Sequence, residues 1–530
     1  MKLFKFTAAV LTALLLTTTS LVAKQELVRG NGAEPVTLDP NLGEGVPGSN
    51  VNRDLFETLM TEDGEGNVIP GQAESYTISD DKLIYTFKIR KNANWSNGDP
   101  VTAGDFVYAF RRIADPKVAA KYSWYLKILG IKNTAEILDS KKPVDSLGVK
   151  ALDAKTFEVT LGKPIPYFII GLSHIVMAPV PQKVVEKYGQ NWTKTENIVS
   201  NGAYKLSKWV VNEKIVLVKN DKYYDADKVK IEKVTFLPIP DQSTELNRYK
   251  AGEIDYLYEL PKNQYKTLMK TIPNEVKVLG RVGTYYYYLN MKKKPFDDIR
   301  VRKALSYAVN RDVLANKILG TGEKPAYTFV PEIVSGYTLE LPAYAKLTQK
   351  QRDEQAIKML NDAGFNKSHP LKFELLYNTS EQHKRNALAI ASMWKKAFHG
   401  AVIVTLKNQE WKTYLSEKRA GNYQVARAGW IGDYNEASTM LDLLTVGHSS
   451  NNSFYDNPEY DTLMNKARVT TDDAARNKLY QKADAMIARD MPIIPLFQYS
   501  NARLIKPRVG GYPKVNPLGS IQTKHLYIKE

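Results

Sequence analysis

Apolar and polar positions along this chain switch repeatedly between a period of two and a period near three and a half, and the switches mark its elements. Leu83, Tyr85, Phe87 and Ile89 fall on every second position between Lys82 and Arg90, which predicts a strand buried on one face. Residues 155–161, 201–219 and 234–238 are also strand-like, with Asn201-Gly202 as a turn ahead of Ala203-Tyr204. Leu27 to Val36 predicts a first strand, placed at a sheet edge by Pro35 and closed by the turn Leu38-Asp39-Pro40. Where the apolar spacing lengthens, helices are expected. Residues 49–60 predict one behind a Ser/Asn cap, Thr102 caps another that opens near Ala103, and Leu246 to Glu253 predicts a short one before Ile254-Asp255. Gly283 to Asn290 predicts a strand whose four tyrosines divide two and two between its faces. Asp297 or Asp298 then caps a helix carrying Val301, Leu305, Ala308 and Val309 on one stripe. Further helices are predicted at 351–363, 384–398, 410–418, 436–445 and 458–489, before Ile493 to Lys506 returns to strand.

Strands alternating with helices, without internal repeats or low-complexity tracts, indicate an α/β protein. The length of 530 residues suggests three domains, or two lobes with one subdivided, on the usual prior of ~150 residues per domain. No linker separates autonomous units, which suits lobes crossed several times by one chain. Residues 1–23 have the three parts of a secretory signal peptide: Lys2 and Lys5, an apolar run from Phe6 to Leu16, and Leu21-Val22-Ala23 before the cut. No cysteine follows that run to carry a lipid, and no later segment is long and apolar enough to cross a bilayer. A soluble secreted chain is expected, with no membrane insertion, and a periplasm fits best. Zero cysteines exclude disulfides, so the fold must rest on the core that 43% hydrophobic content can build.

The formal charge of +17 would suit nucleic acid, anionic lipid or acidic ligands. The lysines are scattered, however, with Lys292-Lys293-Lys294 and Lys384-Arg385 the largest groups, and a solvated basic surface is the reading preferred to a nucleic-acid groove. Enzyme signatures are missing. The six histidines show no helical i, i+4 pair and no His-Glu-x-x-His, no cysteine cluster holds zinc, and neither a Gly-x-Ser-x-Gly elbow nor a phosphate-cradling Gly-rich loop is present. Ser79 to Lys82 and Ser392 to Lys395 match Ser-x-x-Lys without companion motifs. No catalytic residue, metal ligand or cofactor is assigned. One run stands out: Val425-Ala426-Arg427-Ala428-Gly429-Trp430-Ile431-Gly432-Asp433-Tyr434-Asn435-Glu436 sets an acid just past a tryptophan and a glycine at the end of an apolar segment. Such an acid beside an aromatic wall suits a cationic amine.

That run resembles the amine-capturing segment of the periplasmic oligopeptide-binding proteins. The ordered series Tyr85-Thr86-Phe87-Lys88-Ile89-Arg90, Trp95-Ser96-Asn97-Gly98-Asp99-Pro100-Val101-Thr102-Ala103 and Asp105-Phe106-Val107-Tyr108-Ala109-Phe110 is similar to the signature of the large extracellular solute-binding family for peptides and nickel. The resemblance implies a two-lobed binding-protein fold with an extra subdomain and a hinge of two strands near residues 282 and 500. Its expected units are residues 24–56, 182–282 and 501–530 for the first lobe, 57–181 for the subdomain and 283–500 for the second lobe. It implies a monomer that captures short peptides between the lobes and delivers them to an inner-membrane ATP-driven permease. Recognition must then rest on the backbone and the charged termini. By matching motifs, Asp433 takes the ammonium, while Arg427, His383, Lys418 and Arg419 serve the carboxylate end. Glu44, Tyr122, Tyr286, Trp411, Trp430 and Tyr499 line the ligand. The Lys418-Arg419 pair departs from an Arg-His or Arg-Asn pair, Tyr288 replaces an acid, and Gly283 and Ile431 stand where relatives can carry a disulfide. The last two departures, with Gly320 to Pro325, resemble the murein-tripeptide-binding relatives, the alternative within the class. From another class, a chaperone or adhesin acting through the basic surface remains, and strong salt dependence would mark it.

Overall fold

The computed structural model describes residues 25–529; the expected signal peptide lies outside them. Among the described residues, one eleven-stranded mixed sheet runs through the molecule. Its centre is a pair of long antiparallel strands, Val276–Leu289 and Ile493–Ile505. One half of the pair, Val276 to Gly280 against Leu504 to Ser500, continues the sheet of the first lobe through Tyr256–Leu257, Glu26–Gly30, Lys233–Leu237, Lys214–Lys219 and Tyr204–Val210. The other half, Thr284 to Tyr288 against Gln498 to Ile493, continues into the second lobe through Val425–Ile431, Leu371–Asn378 and Val402–Gln409. The ladder between the long strands breaks between Gly280 and Thr284. Two strands with a gap in their hydrogen bonding can bend there without breaking a continuous ladder.

A separate four-stranded antiparallel sheet, of Ala73–Ile78, Ile84–Ile89, Thr156–Thr160 and Val149–Asp153, packs on the first lobe. Tyr85, Phe87 and Ile89 are buried as their spacing predicts, and they join Leu27, Phe236 and Ile505 in one hydrophobic core. The helix Ala103–Ala114 opens on the expected Thr102, whose capping box with Asp105 satisfies free backbone N–H groups. In the second lobe, Tyr285 and Tyr287 enter the core that holds Trp394, while Tyr286 and Tyr288 enter the one that holds Tyr460. The four tyrosines thus divide as predicted, because a strand sends alternate side chains to opposite faces.

Several boundaries differ from the sequence reading. The first strand ends at Gly30, before Pro35, and lies inside the sheet between Lys233–Leu237 and Tyr256–Leu257 rather than at its edge. The first helix spans Val46–Leu55, starting early because Pro47 fits its first turn. The helix expected at 436–445 is one turn, Ser438–Leu441, followed by a 3-10 turn. The stretch 458–489 is two helices, Pro458–Val469 and Asp473–Asp490, the second capped by Asp472.

Candidate functional site

A cleft of about 770 Å³ lies between the lobes, the size of a small-ligand pocket. One end is built on the segment that follows strand Val425–Ile431. Gly432 donates to the Val282 carbonyl at 2.9 Å, and a side chain at Gly432 would meet Val282. That close approach fixes Asp433, whose N–H donates to Thr439 Oγ1 at 2.8 Å. Tyr434, next in the chain, is buried in the first lobe's core and stacks on Tyr167 with 5.4 Å between centroids. The second lobe therefore inserts into the first at this point, and Asp433 is held at the seam, 6% exposed.

Two side chains of the first lobe face the Asp433 carboxylate. His174 Nε2 lies 3.2 Å away and the Tyr122 hydroxyl donates at 3.4 Å, with the two rings stacked at 5.1 Å. Asn41 holds the His174 segment by donating to the carbonyls of Val176 and Ala178. His174 Nδ1 accepts from the Val176 N–H at 3.3 Å, so Nε2 carries a proton and points it at Asp433. Two donors orient the acid, and among the described residues no lysine or arginine pairs with it. Burial, then Asp433 itself, raises the Tyr122 pKa well above the ordinary phenol value, so Tyr122 stays a donor.

The other end is organised by Arg427, six residues back along the same strand, at most ~20 Å away at the rise of a strand. Its guanidinium donates to Asn378 Oδ1 and to the Tyr499 hydroxyl, both at 3.1 Å, and lies 4.8 Å over the Tyr285 ring. Tyr414 OH donates to the Arg427 carbonyl. His383 sits beside Tyr285, 3.4 Å from its hydroxyl, and burial followed by the Arg427 charge pushes its pKa well below the ordinary imidazole value. It offers an uncharged ring rather than an imidazolium. Lys418 lies over Tyr414 and Tyr288 at 5.4 and 5.9 Å, without a carboxylate partner among the described residues. Burial, then Arg427, lowers its pKa to about 8. Between the two ends Trp430, Trp124 and Tyr286 form an aromatic wall, and the buried Trp430 Nε1 has no partner among the described residues. Arg419 and Glu44 join across the cleft as an ion pair. The arrangement offers a buried acid, a half-buried guanidinium and, between them, the unpartnered Trp430 N–H. Among the described residues no group of three or more His, Cys, Asp or Glu could hold a metal ion, and no helix is long and apolar enough to cross a membrane.

The family model described as "Bacterial extracellular solute-binding proteins, family 5 Middle" matches residues 67–452. This chain belongs to that family. It is 49% identical to the periplasmic oligopeptide-binding protein OppA of Salmonella typhimurium, over 96% of this chain and 93% of the relative. The structure of Haemophilus influenzae OppA in complex with RPPGFSPFR superposes with a TM-score of 0.93 at 47% identity, over 96% of this chain and 99% of that one. The murein tripeptide binding protein MppA of Escherichia coli, 45% identical, superposes at 0.94 over 97% of this chain and 100% of that one. The unliganded open form of MppA superposes at 0.70 with the same identity, over 96% and 98%. The relatives are two-lobed binding proteins, and the lobes of this family member stand in an arrangement unlike the open one.

All eleven residues singled out in the sequence border this cleft: Asp433, Arg427, Trp430, His383, Lys418, Arg419, Glu44, Tyr122, Tyr286, Trp411 and Tyr499. Their roles differ in detail. Glu44 is tied to Arg419, and His383 is neutral. Asp433 does not cap the helix after it, which begins at Ser438 behind Ala437. Gly283 and Ile431 are paired across two strands, and the Ile431 side chain fills the space that a side chain at 283 would enter. Sequence reasoning missed His174, a lone histidine in an apolar stretch 259 positions from its partner, with no spacing signal to reveal it. It also missed Arg53, Arg281, Asn501 and Arg503 on the first lobe's wall.

Glu245 on that wall makes a pH prediction. Its Oε1 accepts the Tyr258 N–H at 2.7 Å, and burial raises its pKa to about 8. The native state therefore keeps a proton that the unfolded chain loses near pH 4.5, so stability is full below that pH and declines as pH rises to about 8. The slope is at most about 1.4 kcal/mol per pH unit. Glu245→Gln, already neutral, should escape this decline. Chemical denaturation at pH 5, 7 and 8.5 should show the variant gaining on the parent up to about pH 8 and no further; parallel pH profiles would refute it.

Proposed function

We propose that this periplasmic protein is the substrate-binding component of an ATP-driven peptide importer, taking short peptides by their two charged ends and handing them to an inner-membrane permease. The observation that carries the residue assignment is Asp433: an acid sealed at the seam of the lobes, oriented by two donors and paired with no lysine or arginine among the described residues. An α-ammonium supplies the missing cation, and Arg427, held open by Asn378 and Tyr499, takes the α-carboxylate. The free Trp430 N–H between them suits a backbone carbonyl, which every peptide has, so side chains are tolerated rather than read. Binding both lobes at once selects the closed arrangement. Binding without a catalytic step is part of this reading.

Native mass spectrometry of the protein purified from its own periplasm tests it. A family of peptide masses, released on denaturation, is expected. The likeness to MppA supports a second reading, a dedicated murein-tripeptide binder, which a single murein tripeptide mass would favour. A protein that carries no peptide, and that no free tripeptide saturates, would refute both.

A further inference from the structure

The first lobe's side of the cleft holds cations that the two ends of a peptide do not use. Arg281 and Arg503 converge on one acceptor, Asn501 Oδ1, at 3.5 and 3.2 Å. Arg53 stands on the same wall, near enough to Arg281 for their charges to oppose each other. None of the three arginines has a carboxylate within 4 Å among the described residues. Asn501 and Arg503 are 6% and 2% exposed, yet Asn501 Nδ2 and Arg503 Nε have no hydrogen-bond partner among the described residues. Asn501 Nδ2 and Arg281 Nε both face the bare Cα of Gly519, where a side chain would fill the space between them. The wall is therefore a cradle of donors, kept open by a glycine.

The nearby acids offset it only in part. Glu245 is protonated at neutral pH because burial lifts its pKa to about 8. Glu259 lies close enough to act on Arg281 but forms no ion pair with it. Buried guanidinium groups without a paired carboxylate are costly, so the closed cleft gains when a ligand brings an anion. The position is also defined. Tyr499 accepts from Arg427 on one side and feels the Arg281 charge on the other, which sets the cradle beside the carboxyl end of the bound chain.

We propose that Arg53, Arg281 and Arg503, gathered around Asn501, form a subsite for a side-chain carboxylate of the ligand, so that the cleft prefers peptides with an aspartate or glutamate near the carboxyl end. The proposal rests on the peptide reading above and adds a substrate class to it. A neutral side chain would leave the same space to water, which binds the donors without answering their charge.

Isothermal titration of the full mature protein with paired tetrapeptides tests it: Ala-Glu-Ala-Ala against Ala-Gln-Ala-Ala, and Ala-Ala-Glu-Ala against Ala-Ala-Gln-Ala. We expect the glutamate peptide to bind at least about tenfold more tightly than its glutamine twin at one position, as charge-assisted hydrogen bonds allow. That ratio should fall towards one in Arg281→Gln, and fall in Arg53→Gln, the second variant serving if the first fails to fold. Twins that bind equally well to the parent protein at both positions overturn the subsite and leave peptide binding standing. A preference that survives in both variants overturns the assignment to these arginines. Failure of every peptide to bind overturns the peptide reading and this subsite with it.

Discussion

Asp433→Ala should weaken the binding of a tripeptide with a free amino end by about 2–5 kcal/mol, between one and a half and three and a half decades in Kd. The size follows from burial. The carboxylate is 6% exposed in this arrangement of the lobes, so an ammonium that reaches it has shed its water and cannot recover the loss elsewhere. Neither His174 nor Tyr122, whose phenol burial keeps protonated, can supply a negative charge in its place. N-acetylation removes the same charge from the other partner, so the acetylated peptide should bind the parent weakly and lose little more in the variant. Calorimetry over this two-by-two set gives the coupling directly. Additive losses, or a variant that binds the free peptide as well as the parent does, would dismiss Asp433 as the amine site. Salt should matter little, because a pair sealed from solvent is poorly screened.

How much of this was legible beforehand depended on where the information lay. Period-two runs such as Lys82 to Arg90 and the tyrosine strand were legible because one strand meets two different environments, and the alternation records both. The strands Leu371–Asn378 and Val402–Gln409 were missed. They pair in parallel at one end of the sheet, and the first carries the same alternation, Leu371, Phe373 and Leu375 against Lys372 and Glu374, so the signal there was present and overlooked. The chain's first strand was misplaced for a different reason: Pro35 was taken to limit its pairing, but the strand stops five residues earlier, so its interior position carries no penalty.

The site divides in the same way. Asp433 and Arg427 share one strand and its continuation, so a local motif could carry both. His174, Arg53, Arg281 and Arg503 come from four separate parts of the chain, and only the folded topology brings them to the cleft. Chemistry held within one segment is readable from that segment. Charge contributed by distant segments emerges only after packing, as does the suppression of charge at His383, which depends on burial and on a neighbour 44 positions away.

Arg427→Gln should cost a tripeptide with a free carboxyl end a further 2–5 kcal/mol, again as a coupling and not merely a loss. The guanidinium is held by Asn378, Tyr499 and the Tyr285 face before any ligand arrives, so little order remains to be imposed when a carboxylate binds. The other basic groups at this end are poor substitutes. His383 is kept uncharged by burial and by Arg427 itself, while Lys418, with its pKa lowered to about 8, has lost part of its preference for the charged form. Removing Arg427 relieves both of them, since its charge acts on each, and some carboxylate affinity should return through Lys418. At pH 6 Lys418 is protonated in parent and variant alike, whereas at pH 9 it is largely uncharged in the parent and regains charge once Arg427 is gone, so the loss should be smaller at pH 9 than at pH 6. C-amidated peptides should show neither the loss nor the pH trend. Titrations of free and amidated tripeptides against parent and variant at the two pH values measure the coupling. Losses that are equal for free and amidated ligands would show that Arg427 supports the fold of the cleft and does not hold the carboxylate.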